Sequence, residues 1–307
     1  MTVANTALAR EARTARRWRR PWRYGVGYLY VAPLLIWFVA FNLIPMVVGF
    51  LIGFTDWNIL TRPKSVGLAN YVTMAHDPLF WLALRNTFYY AVVSVVCTTA
   101  LSLGLALALN QKLKSIVIYR TIFFLPAVTA VIAVAMVWRW LYNTDYGLLN
   151  WLLSLFNISP VNWLGDPKLA MPAVIAMSVW RSAGFNTIIF LAGLQGIPKE
   201  YYEASELDGA NRWARFRNIT VPLASPTTFF VVVNGLIGSW QVFDQVYAMT
   251  RGGPQQATLT IVYYIYSNGF EWFKTGYASA IAYVLFLIIL AVTLLQFAVQ
   301  RKWVFYQ

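Results

Sequence analysis

The chain has 307 residues, of which 59% are hydrophobic, 17% aromatic and only 11% charged. Soluble domains carry about a quarter charged residues, so this composition excludes an ordinary soluble protein and points to one immersed in lipid. The formal net charge of +13 would suit a nucleic-acid partner, but where the basic residues fall along the chain argues against one.

Residues 1–24 read as a basic tail, with seven arginines between Arg10 and Arg23. Such a run is expected to be disordered and held near anionic lipid. The apolar run that begins near Val26 is too long for a signal peptide, and no small-x-small cleavage site follows it. Six segments are predicted to span the bilayer: 25–53, 87–110, 118–141, 170–195, 223–248 and 276–299. Each approaches or exceeds the roughly 20 residues that cross hydrocarbon. Each must be helical, because lipid offers no partner to an unpaired backbone amide. Residues 25–307 are therefore expected to form a single all-α membrane domain of six helices.

The connections have their own signals. The first, from Thr55 to Asn86, holds Pro63, Gly67, Asn70 and Pro78 and reads as a short structured link. The segment from Asn143 to Leu169 carries an amphipathic turn or two around Leu148–Leu155, then a turn at Asn162-Trp163-Leu164-Gly165-Asp166-Pro167. Met249-Thr250-Arg251-Gly252-Gly253-Pro254 cannot remain helical and closes the fifth span. Trp138, Trp140, Tyr142, Trp163, Trp272, Tyr277 and Trp303 crowd the span ends, as interfacial belts do. No internal repeat is visible.

The tail, the second loop (Lys112, Lys114, Arg120), the fourth loop (Lys199, Arg212, Arg215, Arg217) and the end of the chain (Arg301, Lys302) share one side of the predicted topology. They hold sixteen basic residues, against six on the other side: Arg62, Lys64, Arg85, Lys168, Arg251 and Lys274. The positive-inside rule puts both termini and the 199–222 loop in the cytoplasm. Membrane lipid is thus the expected partner of the basic residues, and nucleic acid is not. One cysteine, Cys97, and one histidine, His76, exclude a disulfide framework and argue against a zinc site. The sequence has no GxxxxGK[ST] phosphate loop and no catalytic constellation, so an enzyme is not expected.

The fourth loop is the most informative segment. Pro198 suits the first turn of a helix, and Glu200, Glu203 and Glu206 follow where the helix dipole favours acid. Asp208-Gly209 reads as a turn, with glycine supplying positive φ. A second helix is expected from about Asn211 to Asn218, with Pro222 and Pro226 leading into the fifth span. Ala204, Leu207, Ala210, Trp213 and Phe216 recur every three residues as a candidate apolar stripe. A helix pair this short is marginal by itself and needs a partner, either a lipid surface or a groove in another protein.

Within this loop Glu203-Ala204-Ser205, Gly209, Ile219 and Val221-Pro222 resemble the coupling motif of binding-protein-dependent ABC importer permeases. The family pattern is Glu-Ala-Ala, three residues, Gly, nine residues, Ile, one residue, Leu-Pro; every spacing is kept here, with Ser for Ala and Val for Leu. The resemblance, to the sugar-type branch that includes maltose and glycerol-phosphate permeases, implies a type I importer permease fold with a cytoplasmic coupling helix. It also implies that Glu203, Ala204, Ser205, Leu207, Asp208, Gly209, Phe216, Ile219 and Pro222 meet an ATPase. The implied partners are a second homologous permease, two copies of a cytoplasmic ATPase subunit that use the ATP and magnesium, and an extracytoplasmic solute-binding protein. This chain itself would bind no cofactor and would lie in a bacterial or archaeal cytoplasmic membrane.

Polar groups inside the predicted spans need a reason, because a charge at bilayer centre costs roughly 2.5–3.5 kcal/mol on insertion scales. Arg139 lies near a span end and can snorkel. Arg181 is deeper; it is a candidate either for pairing with Asp244 or for touching solute. Asn234, Gly238, Gln241 and Gln245 recur at helical spacing in the fifth span, with Trp240 and Asp244 on an adjacent face. With Trp180, Arg181 and Asn186 of the fourth span, Asn234, Trp240, Gln241 and Asp244 are the candidate solute pathway. Amide, carboxylate and aromatic groups suit a carbohydrate, although Asn and Gln also simply bond neighbouring helices. An amino-acid or peptide importer permease and a secondary carrier are the alternatives. Pro33, Pro45, Pro126 and Pro172 are static kinks or hinges.

Overall fold

The computed structural model describes residues 22–111 and 116–305. Most of the basic tail expected over 1–24, with Lys112 and Lys114, lies outside the described residues. The chain divides after Ile52 into two compact units. The first is a single helical run: α1 (Trp22–Phe38) passes through a π-helical turn, Val39–Leu43, into α2 (Ile44–Ile52). Pro45 has no N–H to give the carbonyl four residues earlier, at Phe41, and the turn widens there instead of breaking.

The second unit begins with a two-stranded antiparallel sheet, β1 (Thr55–Asp56) against β2 (Lys64–Ser65), and the short helix α3 (Ala69–His76). Ten more elements carry the argument below: α4 (Pro78–Leu109), α5 (Ile116–Val128), α6 (Val131–Leu141), α7 (Leu148–Ser154), α8 (Ala170–Gln195), α9 (Lys199–Leu207), α10 (Arg212–Arg215), α11 (Val221–Leu223), α12 (Ser225–Trp240) and α13 (Asp244–Met249). They are followed by α14 (Ile261–Tyr266) and α15 (Thr275–Gln300). Among the described residues four helices are long and apolar enough to cross a membrane, or six if each of two bent pairs counts as one.

Three expected spans differ from the observed helices. α4 starts at Pro78 and not near residue 87: the Asp77 carboxylate caps the Leu79 N–H at 2.9 Å and Pro78 occupies the first turn. The segment 118–141 is not straight but turns by 99° between α5 and α6. Pro126 removes one helical hydrogen bond just before the break, and Thr129, Val131 and Ile132 are β-branched or follow it closely. The fifth span, expected over 223–248, ends at Trp240. There the Gln241 and Val242 N–H groups reach back only three residues, to Gly238 and Ser239. The tightened turn ends α12, and α13 restarts at Asp244.

α4 and α8 form the spine of this unit and approach through small residues. The Ser102 hydroxyl donates to the Ala183 carbonyl across the pair at 3.0 Å. On the next face, a Cβ at Gly184 would lie 1.7 Å from the Phe123 carbonyl oxygen, so only glycine lets α5 come this close to α8. The larger apolar core joins α4, α6, α8, α12, α13, α14 and α15 through residues such as Tyr90, Met177, Trp240, Val246 and Ile281. A smaller one, with Ala106, Phe190, Leu194, Ile197 and Ala224, lies at the end of α8 that leads into α9.

Candidate functional site

Two regions gather the chemistry. The first is the helix pair after α8. α9 ends on Asp208, and Gly209 takes φ +76° with open space around it, so glycine is required by the backbone and not by crowding. The Ala210 N–H bonds the Ser205 carbonyl at 2.9 Å and the Gly209 N–H bonds Glu206 at 3.1 Å, a Schellman closure. Asn211 then caps α10 by accepting from the Ala214 N–H at 2.8 Å. The helix does not stop near Asn218. It widens into a π turn over Phe216–Thr220, continues through α11, and meets α12 at 61°. Pro222 has no N–H for the Asn218 carbonyl, which accounts for the widening.

Two contacts tie this pair together. The Tyr202 and Thr220 hydroxyls lie 3.1 Å apart, and Tyr202 also packs on the smaller core. Arg215 reaches Glu206 at 3.5 Å, the one ion pair among the described residues. The opposite face is open. Leu207 is 90% exposed, Trp213 66% and Tyr201 50%. Glu203, Ala204 and Asp208 are also exposed, whereas Ser205, Phe216, Ile219 and Pro222 are half-buried. The expected stripe of five apolar residues is not continuous, because the Gly209 turn interrupts it; Trp213 and Phe216 pack ring to ring at 5.5 Å.

The second region is a cleft of about 500 Å³ between α4, α5, α8 and α12. α4 contributes Tyr90, Ser94, Thr98 and Thr99; α5 contributes Phe124; α8 contributes Ser178, Arg181, Ser182, Phe185 and Asn186; α12 contributes Asn234, Gly235, Gly238 and Ser239. Asn186 and Asn234 each donate one N–H to their own helix, to Ser182 at 3.2 Å and Phe230 at 2.8 Å. That leaves each amide a carbonyl oxygen and a second N–H for the cleft. Ser94 and Ser239 hydroxyls lie 3.2 Å apart across its wall. Among the described residues, buried Arg181 Nε and Thr99 Oγ1 have no hydrogen-bond partner.

Of the predicted solute-pathway residues, the structure brings Arg181, Asn186 and Asn234 together in this cleft. Gln241 and Asp244 line an adjoining recess of about 280 Å³ that shares Tyr90, Gly238 and Ser239 with it. The end of α12 at Trp240 therefore splits the expected Asn234–Gln245 stripe into two walls. Arg181 and Asp244 form no ion pair. Trp240 is buried against Phe88, with ring centres 6.3 Å apart, and Trp180 packs at a tilt on Trp138, with ring centres 5.5 Å apart. Neither lines the cleft. Sequence reasoning missed Tyr90, Ser94 and Thr98 on α4, and Ser178, Ser182 and Phe185 on α8. Their spacing of three or four residues puts each set on one helix face, a signal obscured by the apolar residues between them.

The end of the bundle away from α9 is closed by buried hydrogen bonds. Asn86 donates to the Gln256 and Leu259 carbonyls at 3.0 and 3.1 Å, and Thr87 accepts from the Ile261 N–H at 2.8 Å. Asn150 donates to the Val161 carbonyl at 2.9 Å and accepts from the Val161 N–H and the Trp163 indole, each at 3.1 Å. Asp77 accepts from the hydroxyls of Tyr264 and Tyr277. Burial raises the Asp77 carboxyl, but these bonds and the backbone N–H groups of Leu79 and Phe80 outweigh it and hold it below the usual range. Burial, with the bond to Asp77, pushes Tyr264 up to about 12. Among the described residues no cluster of three His, Cys, Asp or Glu could hold a metal.

Residues 99–304 match the family of binding-protein-dependent transport system inner membrane components. The trehalose/maltose transport system permease protein MalF of Thermococcus litoralis is 37% identical over 90% of this chain and 94% of its own. The lactose transport system permease protein LacF of Rhizobium radiobacter is 35% identical over 90% of this chain and 94% of its own. Among solved structures, a bacterial alginate ABC transporter in complex with an alginate pentasaccharide-bound periplasmic protein is similar at a TM-score of 0.81. That similarity has 26% identity and covers 94% of this chain and 98% of the other.

Proposed function

The chain belongs to the family of binding-protein-dependent transport system inner membrane components, and on that premise we propose that it is the permease subunit of an ATP-driven importer of a carbohydrate. It is a multi-pass membrane protein. Its relatives' names, a trehalose/maltose and a lactose permease, support a sugar or oligosaccharide as cargo. So does a cleft walled by hydroxyls, amides and the rings of Phe124 and Phe185, the groups that recognise polyols.

The observation that carries the coupling role is the α9–α10 pair, anchored on its inner face by Tyr202 and exposed on its outer face at Glu203, Leu207 and Trp213. In this reading the pair faces the cytoplasm, as do both chain termini, and docks into a separate ATPase subunit. Two ATPase copies, a second homologous permease and an extracytoplasmic solute-binding protein complete the assembly. ATP and magnesium belong to the ATPase. Its closure would displace α9, the Tyr202–Thr220 contact would carry that displacement into the π turn, and the 61° joint would pass it to α12. α12 carries Asn234 and Gly238 in the cleft wall. Movement at the loop is thereby converted into opening or closing of the solute path.

The test is saccharide uptake into proteoliposomes holding the complete complex. Uptake is expected to require ATP and to be lost in Glu203→Lys, with membrane insertion unchanged. Uptake that runs down a gradient without ATP contradicts the reading and favours a secondary carrier.

A further inference from the structure

Arg181 is the one basic side chain lining the cleft, and its buried Nε has no partner among the described residues. A guanidinium nitrogen left without an acceptor within the membrane is costly, so an anion in the cleft would stabilise this site. Asp244 does not supply it: the two form no ion pair, and Asp244 lies in the adjoining recess. The rest of the wall consists of hydroxyls, amides and phenyl rings, which neutralise nothing but hold a polyhydroxylated ring well. Thr99 Oγ1, the second unpartnered buried atom of the cleft, is a further donor on the facing helix.

We propose that the cargo is an acidic saccharide and that Arg181 reads its charge, pairing its planar fork with a sugar carboxylate. The inference rests on the carbohydrate reading above and narrows it. A carboxylate fits better than a phosphate ester for a reason of charge. A carboxylate carries one negative charge and matches a single guanidinium in a bidentate pair. A phosphate monoester carries about −1.5 to −2 at neutral pH and would need a second cation that this cleft lacks.

The experiment is calorimetric titration of the solubilised complex of permeases and ATPase subunits, without the solute-binding protein, with tetrasaccharides of galacturonate, glucuronate, mannuronate and guluronate. Each is paired with its methyl ester, which has the same shape and no charge. Wild type is expected to bind at least one acid about tenfold or more tighter than its ester. Arg181→Gln should abolish that preference, and Arg181→Lys, which keeps the charge and loses the fork, should retain part of it. If acid and ester bind wild type equally, or Arg181→Gln weakens both alike, the charge-reading role is overturned while carbohydrate import stands. If no saccharide binds, acid or neutral, both readings fall. Should Arg181→Gln not assemble, the acid-to-ester ratio of the wild type decides alone.

Discussion

The two ends of the helix bundle satisfy their polar groups in opposite ways. At the end closed by Asn86, Asn150 and Asp77, buried and half-buried side chains bond backbone and tyrosine hydroxyls of the same chain. At the α9–α10 end the backbone is also well closed, by the Schellman turn and the Asn211 cap. Its side chains are another matter: Leu207 and Trp213 stand out, Glu203 is exposed, and one surface ion pair joins the helices. A surface that fixes its backbone and leaves large apolar groups outside is shaped to be covered by something else. The closed end satisfies its polar groups within the chain; the open end leaves large apolar groups for the proposed partner to cover.

That contrast can be broken by substitutions, and the largest effect is expected at Gly209. Proline there cannot adopt φ +76°, so Gly209→Pro should abolish ATP-driven uptake while the protein still inserts. Asn150→Ala should do the reverse. It strips partners from the Val161 N–H and the Trp163 indole, and about 2–4 kcal/mol of stability should be lost. The midpoint of thermal unfolding should fall, with uptake per folded molecule unchanged.

Asp77→Asn should be milder, about 1–2 kcal/mol, and it should remove a pH dependence. Because the folded carboxyl sits below its ordinary range, its contribution is present above pH ~4 and is lost as pH falls through the lowered value. Unfolding midpoints measured from pH 6 down to pH 2 should converge for wild type and variant at the acid end. Smallest in stability is Tyr202→Phe, about 0.5–1.5 kcal/mol for one hydrogen bond. It sharpens the comparison, because it should lower the solute transported per ATP hydrolysed while leaving assembly with the ATPase intact. Equal coupling ratios in the two proteins would remove Tyr202 from the relay.

The mostly helical membrane fold and the family were legible in the sequence for physical reasons; the small β1–β2 sheet was not. Apolar runs of this length admit only helices in lipid, and the Glu203-to-Pro222 spacing is long and gapped. Less legible were the interruptions. Gln241 and Gln245 keep helical spacing with Asn234 and Gly238, yet the turn at Trp240 places them elsewhere. Nothing in a periodicity signals where a helix will stop when its neighbours are apolar. Trp240 is buried beside Phe88 and Trp180 packs on Trp138 while staying 46% exposed, placements that residue type and spacing alone do not distinguish from a cleft wall. The hydroxyls of α4 and α8 escaped notice since Ser and Thr are tolerated anywhere in a membrane helix by bonding their own backbone, as Thr87 and Ser178 do.

The central claim, that a second protein finishes the open end, is tested most directly at Leu207. With the exposed Cys97 replaced by serine, a cysteine at position 207 can be labelled by a water-soluble maleimide in membranes, with and without the ATPase subunits. Labelling should be rapid for the permease in membranes alone and slow at least tenfold once the ATPase binds. A residue that is equally protected in both preparations would mean that lipid, and not a partner protein, covers this face.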